Sequence, residues 1–411
     1  MQKLSYSAHF LPSFIINIFH GFVIALLFSA FIYFEHFGLT PISLNTLLAL
    51  ISLYALLIVS PRTILAAGFF IGLLWFYWIG YSFEYYHVGW MTPIITILFA
   101  LIYMLFFGLL ALTKLIWLRA IFLFILSFYE PFDWNWMQIE LIFIDTIFGV
   151  EKWQFALILA ALTLLAMQKS RLRYLAVIPL LLAVQFNTPE KELPPLFIKL
   201  VTTEIPQAEK WEINTRSQTV NANFLAIEEA IKEGYELVVL PESIFPLFLN
   251  HHPLIEGELR ALSYKIAIVT GAIYEENGQN YNVGYFFQNG NMQIAKKMVL
   301  VPFGEYIPLP SFMKSWVNET FFDGASDYVN AMQPSDFNIS GTLFRNAVCY
   351  EATCEELYEG DPKYMIAMSN NAWFYPSIEP TLQRLLMRYY AKKHGTIIFH
   401  SANLGGSGVV Y

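Results

Sequence analysis

The chain has 411 residues, of which 56% are hydrophobic, 17% aromatic and only 14% charged, with a formal net charge of −8. Soluble globular domains run at roughly 45–50% apolar and about 25% charged residues, so part of this chain must be embedded in lipid. The acidic balance, with no basic stripe, argues against a nucleic-acid partner, and two cysteines cannot build a disulfide framework.

The apolar excess is concentrated between Phe10 and Phe186, whereas from Glu190 onward charges occur at ordinary soluble density. This pattern predicts a membrane domain joined to a soluble one. The N-terminus has a single Lys and an apolar stretch too long for a signal-peptide core, which reads as an uncleaved first span. A span needs about 20 apolar residues, and candidates fall near 13–34, 44–60, 63–83, 91–113, 115–129, 153–168 and 174–187. Lys3, Arg62, Lys114, Arg119, Lys169, Arg171 and Arg173 fall at ends on one side, and Glu35, Glu84, Glu130, Asp133, Glu140 and Asp145 on the other. By the positive-inside rule the N-terminus is cytoplasmic, and seven crossings deliver everything after residue 188 to the outer side. Lys152 breaks the pattern. The stretch "MQIELIFIDTIFGV" (137–150) is apolar but short and twice charged, and reads as interfacial or re-entrant; as an eighth crossing it would put the soluble domain in the cytoplasm.

A Pro-rich, charged linker occupies 189–195, so the expected division is a membrane domain over 1–188 and a soluble domain over 196–411. Within the latter, short β-branched runs such as "YELVVL", "KIAIVTGAIY", "RNAVCY" and "TIIFHSA" alternate with helical patterns. In one of these Phe224, Ile227 and Ile231 share a face, and another ends on Gly395 at its C-cap position. Alternating strands and helices predict an α/β domain with sheets covered by helices.

Three reactive groups stand after or between predicted strands: Glu242 after "YELVVLP", Lys297 ahead of a Pro-Phe-Gly loop, and Cys349 at the end of "FRNAV". Functional groups gather at the carboxyl ends of strands in open α/β sheets, so these three can meet. Together they make a workable acyl-transfer site. The carboxylate takes the thiol proton, since the thiolate is the reactive species. The ammonium and the backbone N–H beyond the cysteine stabilise the oxyanion formed on attack. Taken singly, each has an ordinary reading: a core cysteine, a solvated glutamate, an exposed lysine pair.

The neighbouring residues decide between these readings. The stretches "PQAEKW", "VVLPES", "TGAIY…YNVGYFF", "KMVLVPFGEYIPLP", "VCYE" and "SNNAWF", with "AAGFFIGLLWFYWIGYS" (66–82) in the membrane half, resemble the bacterial apolipoprotein N-acyltransferase family, a membrane-anchored branch of the nitrilase superfamily. The resemblance implies a multi-span α-helical membrane domain plus an α/β nitrilase-like αββα sandwich. It implies Glu242 as general base, Lys297 rather than Lys296 as the oxyanion-stabilising lysine, and Cys349 as nucleophile. Glu305, Tyr350 and Glu351 would support the site by holding Lys297 and shaping the acyl pocket, and Trp211 would line the substrate entrance. The implied reaction moves an acyl chain from a membrane phospholipid to Cys349 as a thioester, then to the α-amine of a diacylated apolipoprotein. It needs no cofactor and no metal, and is set on the periplasmic side of the bacterial inner membrane. Two apolar stretches, 243–255 and 309–322, are expected either to dip into the bilayer as lids or to be ordinary buried loops.

Some positions depart from the family pattern. Tyr375 followed by Pro376 stands where a Gly is usual, His400 replaces a more usual Arg, and the chain ends at Tyr411 where related domains add further strands and a last membrane helix. That end is expected to be either a shortened version or an incomplete sequence, the latter leaving a sheet edge unpaired. A Cys349–Cys354 disulfide would remove the nucleophile, so Cys349 is expected free and Cys354 a bystander. Two competing readings remain: a membrane-tethered amidase or nitrilase using the same three residues, and a catalytically dead lipid-binding protein.

Overall fold

The computed structural model describes residues 5–167, 171–186, 191–302, 304–306 and 328–411. The stretch 309–322 therefore lies outside the described residues, whereas 243–255 is described. The chain divides into two compact units. The first is drawn from Met1–Glu84, Val88–Pro131 and Met137–Thr188, the second from Tyr85–His87, Phe132–Trp136 and Pro189–Tyr411.

The first unit is helical: α1 (Ser5–His36), α2 (Ile42–Ile58), α3 (Pro61–Phe76), α4 (Thr92–Ala111), α5 (Ile116–Leu126), α6 (Lys152–Ala166) and α7 (Val177–Leu182). The stretches Ser13–His36, Pro61–Tyr86 and Gly89–Ala111 are long and apolar enough to cross a membrane; α2, α5 and α6 are apolar but shorter. Helix α3 starts with Pro61 at its first position and Ser60 accepting a hydrogen bond from the Thr63 amide, which satisfies one otherwise orphaned donor. Small residues then let α3 and α4 approach. A Cβ on Gly68 would sit 2.7 Å from the Tyr103 carbonyl oxygen, and one on Gly72 2.8 Å from the Tyr103 Cβ, so close packing here depends on glycine.

Two charged side chains in this unit find partners the hydropathy pattern could not name. The Arg119 guanidinium donates to the carbonyls of Leu57 (2.9 Å), Val59 (2.7 Å) and Thr113 (2.9 Å), closing the C-terminal end of α2. Lys152, which broke the charge pattern, reaches Glu140 at 2.9 Å and the Ser127 carbonyl. Glu140 is fully buried in a short 3-10 turn, Ile139–Phe143. The 137–150 stretch is thus no spanning helix. Lys152 is placed by its carboxylate partner rather than by a membrane face.

The second unit is a two-sheet sandwich. One sheet holds β1 (Ile198–Leu200), β2 (Leu237–Val239), β3 (Phe245–Phe248), β4 (Ala267–Glu276), β5 (Gln279–Gln288) and β6 (Asn291–Lys296) in the order β1-β2-β4-β5-β6, with β3 beside β4. The other holds β7 (Asp336–Ile339), β8 (Thr342–Val348), β9 (Tyr364–Asn370), β10 (Ile397–Asn403) and β11 (Gly408–Val410) in the order β11-β10-β9-β8-β7. The helices are α8 (Gln207–Lys210), α9 (Ile213–Lys232), α10 (Pro253–Leu262) and α11 (Glu379–His394).

Turn chemistry sets the registers. Asn277-Gly278, Asn289-Gly290 and Ser340-Gly341 all have positive φ at both residues and join β4 to β5, β5 to β6 and β7 to β8, as two-residue hairpins require. The inner faces of both sheets share one core, with Val239, Val269 and Phe286 from the first meeting Val348, Ile366 and Phe399 from the second. The outer face of the first sheet packs Val238, Ile268 and Tyr285 against Phe224 and Ile227 of α9 and Leu259 of α10, with Ile231 alongside. Leu382, Leu385 and Leu386 of α11 are buried, and α11 ends on Gly395 at φ 67°, the left-handed cap that glycine adopts without strain.

The 243–255 stretch contributes β3, with Ile244, Phe245, Leu247 and Leu249 buried. Its first half is core apart from Phe248, and from Asn250 onward it is half-buried or exposed, Leu254 nearly fully so.

Candidate active site

The strand ends bring the sequence-selected groups to one place. Glu242 lies three residues beyond β2, Lys297 directly follows β6 and Cys349 directly follows β8. Both Glu242 and Lys297 are buried, and Cys349 keeps a partly exposed edge. Backbone strain marks the same spots: Ser243, next to Glu242, has φ 46° and Cys349 itself φ 56°. A non-glycine residue held in the left-handed region costs on the order of 1 kcal/mol and persists only where surrounding structure imposes it. Gly271 of β4 makes the approach possible, since a Cβ there would lie 2.6 Å from the Ser243 amide nitrogen and 2.7 Å from the Glu242 Cα.

Asn282 on β5 links the charges. Its Nδ2 donates to Glu242 Oε1 at 2.7 Å and to Glu305 Oε1 at 3.1 Å. Glu305 Oε2 in turn pairs with Lys297 Nζ at 2.7 Å and accepts from the Val301 amide at 2.9 Å. Lys296 points elsewhere: it pairs with Glu276 at 2.7 Å and lies over the Tyr281 ring. Burial alone would depress the Lys297 ammonium, but Glu305 and Glu242, with Cys349 and Glu351, hold it well above the ordinary lysine range. It is a permanent cation at neutral pH.

Lys210 is the contrast. Equally buried, it donates to the Glu242 carbonyl at 3.0 Å and has no carboxylate bonded to it among the described residues, and burial lowers it to about 8 against the pull of Glu242 and Cys349. The Cys349 thiol is pushed well above its ordinary value by burial and then by the Glu242 charge, with Lys297 pulling the other way. At rest the sulfur therefore keeps its proton. Release of that proton would need a base, and the carboxylate whose charge acts on the thiol most is Glu242, ahead of Glu379 and Glu305.

Glu351 staples the cysteine turn to the lysine loop. Its carboxylate accepts from the amides of Val348 (2.7 Å), Val299 (3.1 Å) and Met298. Burial raises its carboxyl to about 7, opposed by Lys297 and these donors. Tyr350 is buried, with its ring against Trp134 (5.6 Å, 22°) and Trp136 (6.2 Å, 19°). Its hydroxyl accepts from the Asn135 amide and donates to the Asp133 carbonyl, while Asn135 and Trp136 hold Thr353 at 2.6 and 2.8 Å. Tyr350 thus braces the turn that carries Cys349. Trp211 caps α8 beside Lys210 and is 40% exposed.

Both cysteines are free. Cys354 is buried and donates to the Tyr350 carbonyl at 3.3 Å. His400 is a neutral cross-link: its Nδ1 donates to the Gly406 carbonyl at 2.8 Å, leaving Nε2 to accept from the Ser369 hydroxyl at 2.8 Å. The Tyr375–Pro376 peptide is cis. Among the described residues no cluster of three His, Cys, Asp or Glu could hold a metal.

Sequence reasoning did not single out Lys210, Asn282, Trp134 or Trp136. Lys210 and Asn282 lie inside motifs it had quoted, "PQAEKW" and "YNVGYFF", where a lysine and an asparagine beside apolar neighbours were the available signals.

A helical membrane unit carrying an αββα sandwich with a buried Glu-Lys-Cys cluster defines a membrane-anchored enzyme of the carbon–nitrogen hydrolase class. The model of the apolipoprotein N-acyltransferase integral membrane domain matches residues 15–186, and that of carbon–nitrogen hydrolase matches residues 205–411. The chain belongs to the apolipoprotein N-acyltransferase family, and is an acyltransferase. It is 43% identical to the apolipoprotein N-acyltransferase of Wolinella succinogenes over 94% of this chain and 94% of that one. It is 37% identical to that of Helicobacter pylori over 90% of this chain and 88% of that one, and 35% identical to that of Campylobacter jejuni over 95% and 89%. Among solved structures, a carbon–nitrogen hydrolase superfamily protein from Xanthomonas campestris is 15% identical over 53% of this chain and 79% of that one, with a TM-score of 0.39.

Proposed function

We propose that this protein takes an acyl chain from a membrane phospholipid onto Cys349 as a thioester and passes it to the N-terminal α-amine of an S-diacylglyceryl-cysteine apolipoprotein. The observation that carries the reading is the Asn282 bridge between Glu242 and the Glu305–Lys297 ion pair, with Cys349 in the same electrostatic cluster. Glu242 takes the thiol proton as sulfur attacks the ester carbonyl. The oxyanion is met by the Lys297 ammonium and by amides opening the Cys349–Thr353 turn, whose first N–H groups lack intrahelical acceptors. As the C–O bond breaks, Glu242 returns the proton to the leaving alcohol. In the second half-reaction the amine adds to the thioester, its proton passes through Glu242 to the departing sulfur, and an amide results.

The membrane unit suits this chemistry, because exposing an acyl chain to water costs about 0.8 kcal/mol per CH₂. We read it as seven crossings over 1–188 in the bacterial inner membrane, with the catalytic body periplasmic, on the support of the charge pattern of the helix ends. Trp211, half exposed beside Lys210, would line the entrance for lipid, and Glu305, Tyr350 and Glu351 would hold the lysine and the cysteine turn.

Intact-protein mass spectrometry after reconstitution in phospholipid vesicles tests the reading. A long-chain acyl adduct, released by hydroxylamine and absent from Cys349→Ala, is expected, followed by amide formation on a diacylated lipopeptide. An adduct that survives Cys349→Ala, or free fatty acid released without any lipopeptide product, would refute it. Labelling of a cysteine introduced at Leu254, 88% exposed, by an impermeant reagent in whole cells checks the periplasmic side.

A further inference from the structure

Two buried polar side chains beside the nucleophile have no part in the steps above. Both stand on the first turns of α11: Glu379, 2% exposed, and Gln383, fully buried. Four residues apart, they share a helix face. Gln383 Nε2 lies 3.8 Å from Cys349 Sγ, which fixes where that face points. The Glu379 charge bears on both Cys349 and Glu242, so it belongs to the same cluster. Gln383 Oε1 and Glu379 Oε2 are buried with no hydrogen-bond partner among the described residues, a costly state that a binding site justifies once its ligand brings donors. Burial, then the Glu242 charge, raises the Glu379 carboxyl well above the ordinary range.

The two half-reactions differ in the donors they bring. A leaving alcohol has nothing to offer beyond the O–H that Glu242 serves. A neutral primary amine adding to the thioester has two N–H bonds, one whose proton goes to Glu242 and one that stays on nitrogen. We infer that Gln383 and Glu379 form the subsite for the attacking amine, their Oε1 and Oε2 atoms together accepting the one N–H bond that Glu242 does not take. In this step the amine nitrogen bonds to the thioester carbonyl carbon, the C–S bond breaks, and the proton held by Glu242 ends on sulfur. The subsite aligns the nitrogen lone pair and biases the acyl-enzyme toward amines over hydroxyls. This rests on the thioester reading above.

The test separates the half-reactions. The acyl-enzyme is formed from phosphatidylethanolamine vesicles and counted by released lysophospholipid. Transfer per acyl-enzyme is then timed with a diacylglyceryl-cysteine lipopeptide, and with its analogue bearing a hydroxyl in place of the α-amine. Gln383→Leu and Glu379→Leu should acylate within about threefold of wild type, yet transfer to the amine roughly 10- to 100-fold more slowly. Transfer to the hydroxyl analogue should be little changed. Glu379→Gln, which keeps an acceptor oxygen, should retain most amine transfer. Acylation and transfer falling together, amine transfer unaffected, or equal losses for amine and hydroxyl would each overturn the inference. A wild-type protein that forms no acyl-enzyme defeats the thioester reading itself, and that control is read before any variant.

Discussion

Glu305→Gln isolates what keeps Lys297 charged. The carboxylate serves three donors at once: Lys297 Nζ at 2.7 Å and the Val301 amide at 2.9 Å on Oε2, and Asn282 Nδ2 at 3.1 Å on Oε1. A glutamine of the same shape must turn its NH₂ toward one side, and either choice sets donor against donor. Removing one partner of a buried ion pair costs about 3–5 kcal/mol. At 1.36 kcal/mol per pKa unit, that corresponds to a fall of roughly 2–4 units for the lysine. The chain supplies its own reference in Lys210, equally buried, bonded to a carbonyl, and lowered to about 8. With Glu242 and Glu351 still nearby, Lys297 in the variant should settle well above that value, near the ordinary lysine range.

The sign follows directly. Removing a negative neighbour disfavours the ammonium, so its proton leaves at lower pH and oxyanion stabilisation is lost as pH rises. Thioester formation in nanodiscs, followed from pH 6 to 11, should show a basic limb emerging above about pH 9 in the variant that wild type lacks over that range. A variant slowed by the same factor at every pH would refute the argument that Glu305 acts by holding the charge of Lys297.

Gly271→Ala puts a methyl against backbone atoms 2.6 and 2.7 Å away that cannot swing aside, so the Glu242 loop must shift. Thioester formation should fall roughly 10- to 100-fold, because small displacements of a reacting group are expensive; an unchanged rate would show that Glu242 needs no such placement. His400, lowered to about 4 by burial, resists a proton that the unfolded chain accepts near the ordinary value of about 6.5. Its contribution is intact above that value and is lost as pH falls toward 4, up to about 3 kcal/mol. Melting temperature should therefore drop less steeply between pH 6.5 and 4 in His400→Gln, and parallel curves would sink the assignment.

The strands that end at Glu242, Lys297 and Cys349 could be read from local pattern, because β-branched runs and Asn-Gly or Ser-Gly turns carry their own geometry. The choice of Lys297 over Lys296 came from motif spacing, and the alternation of side chains along β6 gives its physical reason. Asn282 was harder to see. A single amide inside an apolar strand looks the same whether it faces solvent or bridges Glu242 and Glu305, and only the pairing of β5 between β4 and β6 decides. Lys152 was visible as an anomaly in the charge pattern. Its cause was not, since the Glu140 carboxylate lies in a stretch whose fold hydropathy does not specify. Gln383 and Glu379 were hidden because a helix pattern shows which residues share a face, but not which strand end that face meets.

Scissors placed at the Pro-rich linker would not free a whole catalytic body. The rings that pack against Tyr350 and the amide that holds Thr353 come from Trp134, Asn135 and Trp136, far upstream of the cut. A fragment starting beyond it would bare an aromatic face and loosen the turn that carries the sulfur. The catalytic unit is discontinuous in sequence, because residues 132–136, which lie between membrane helices along the chain, belong to it and complete the wall behind Cys349.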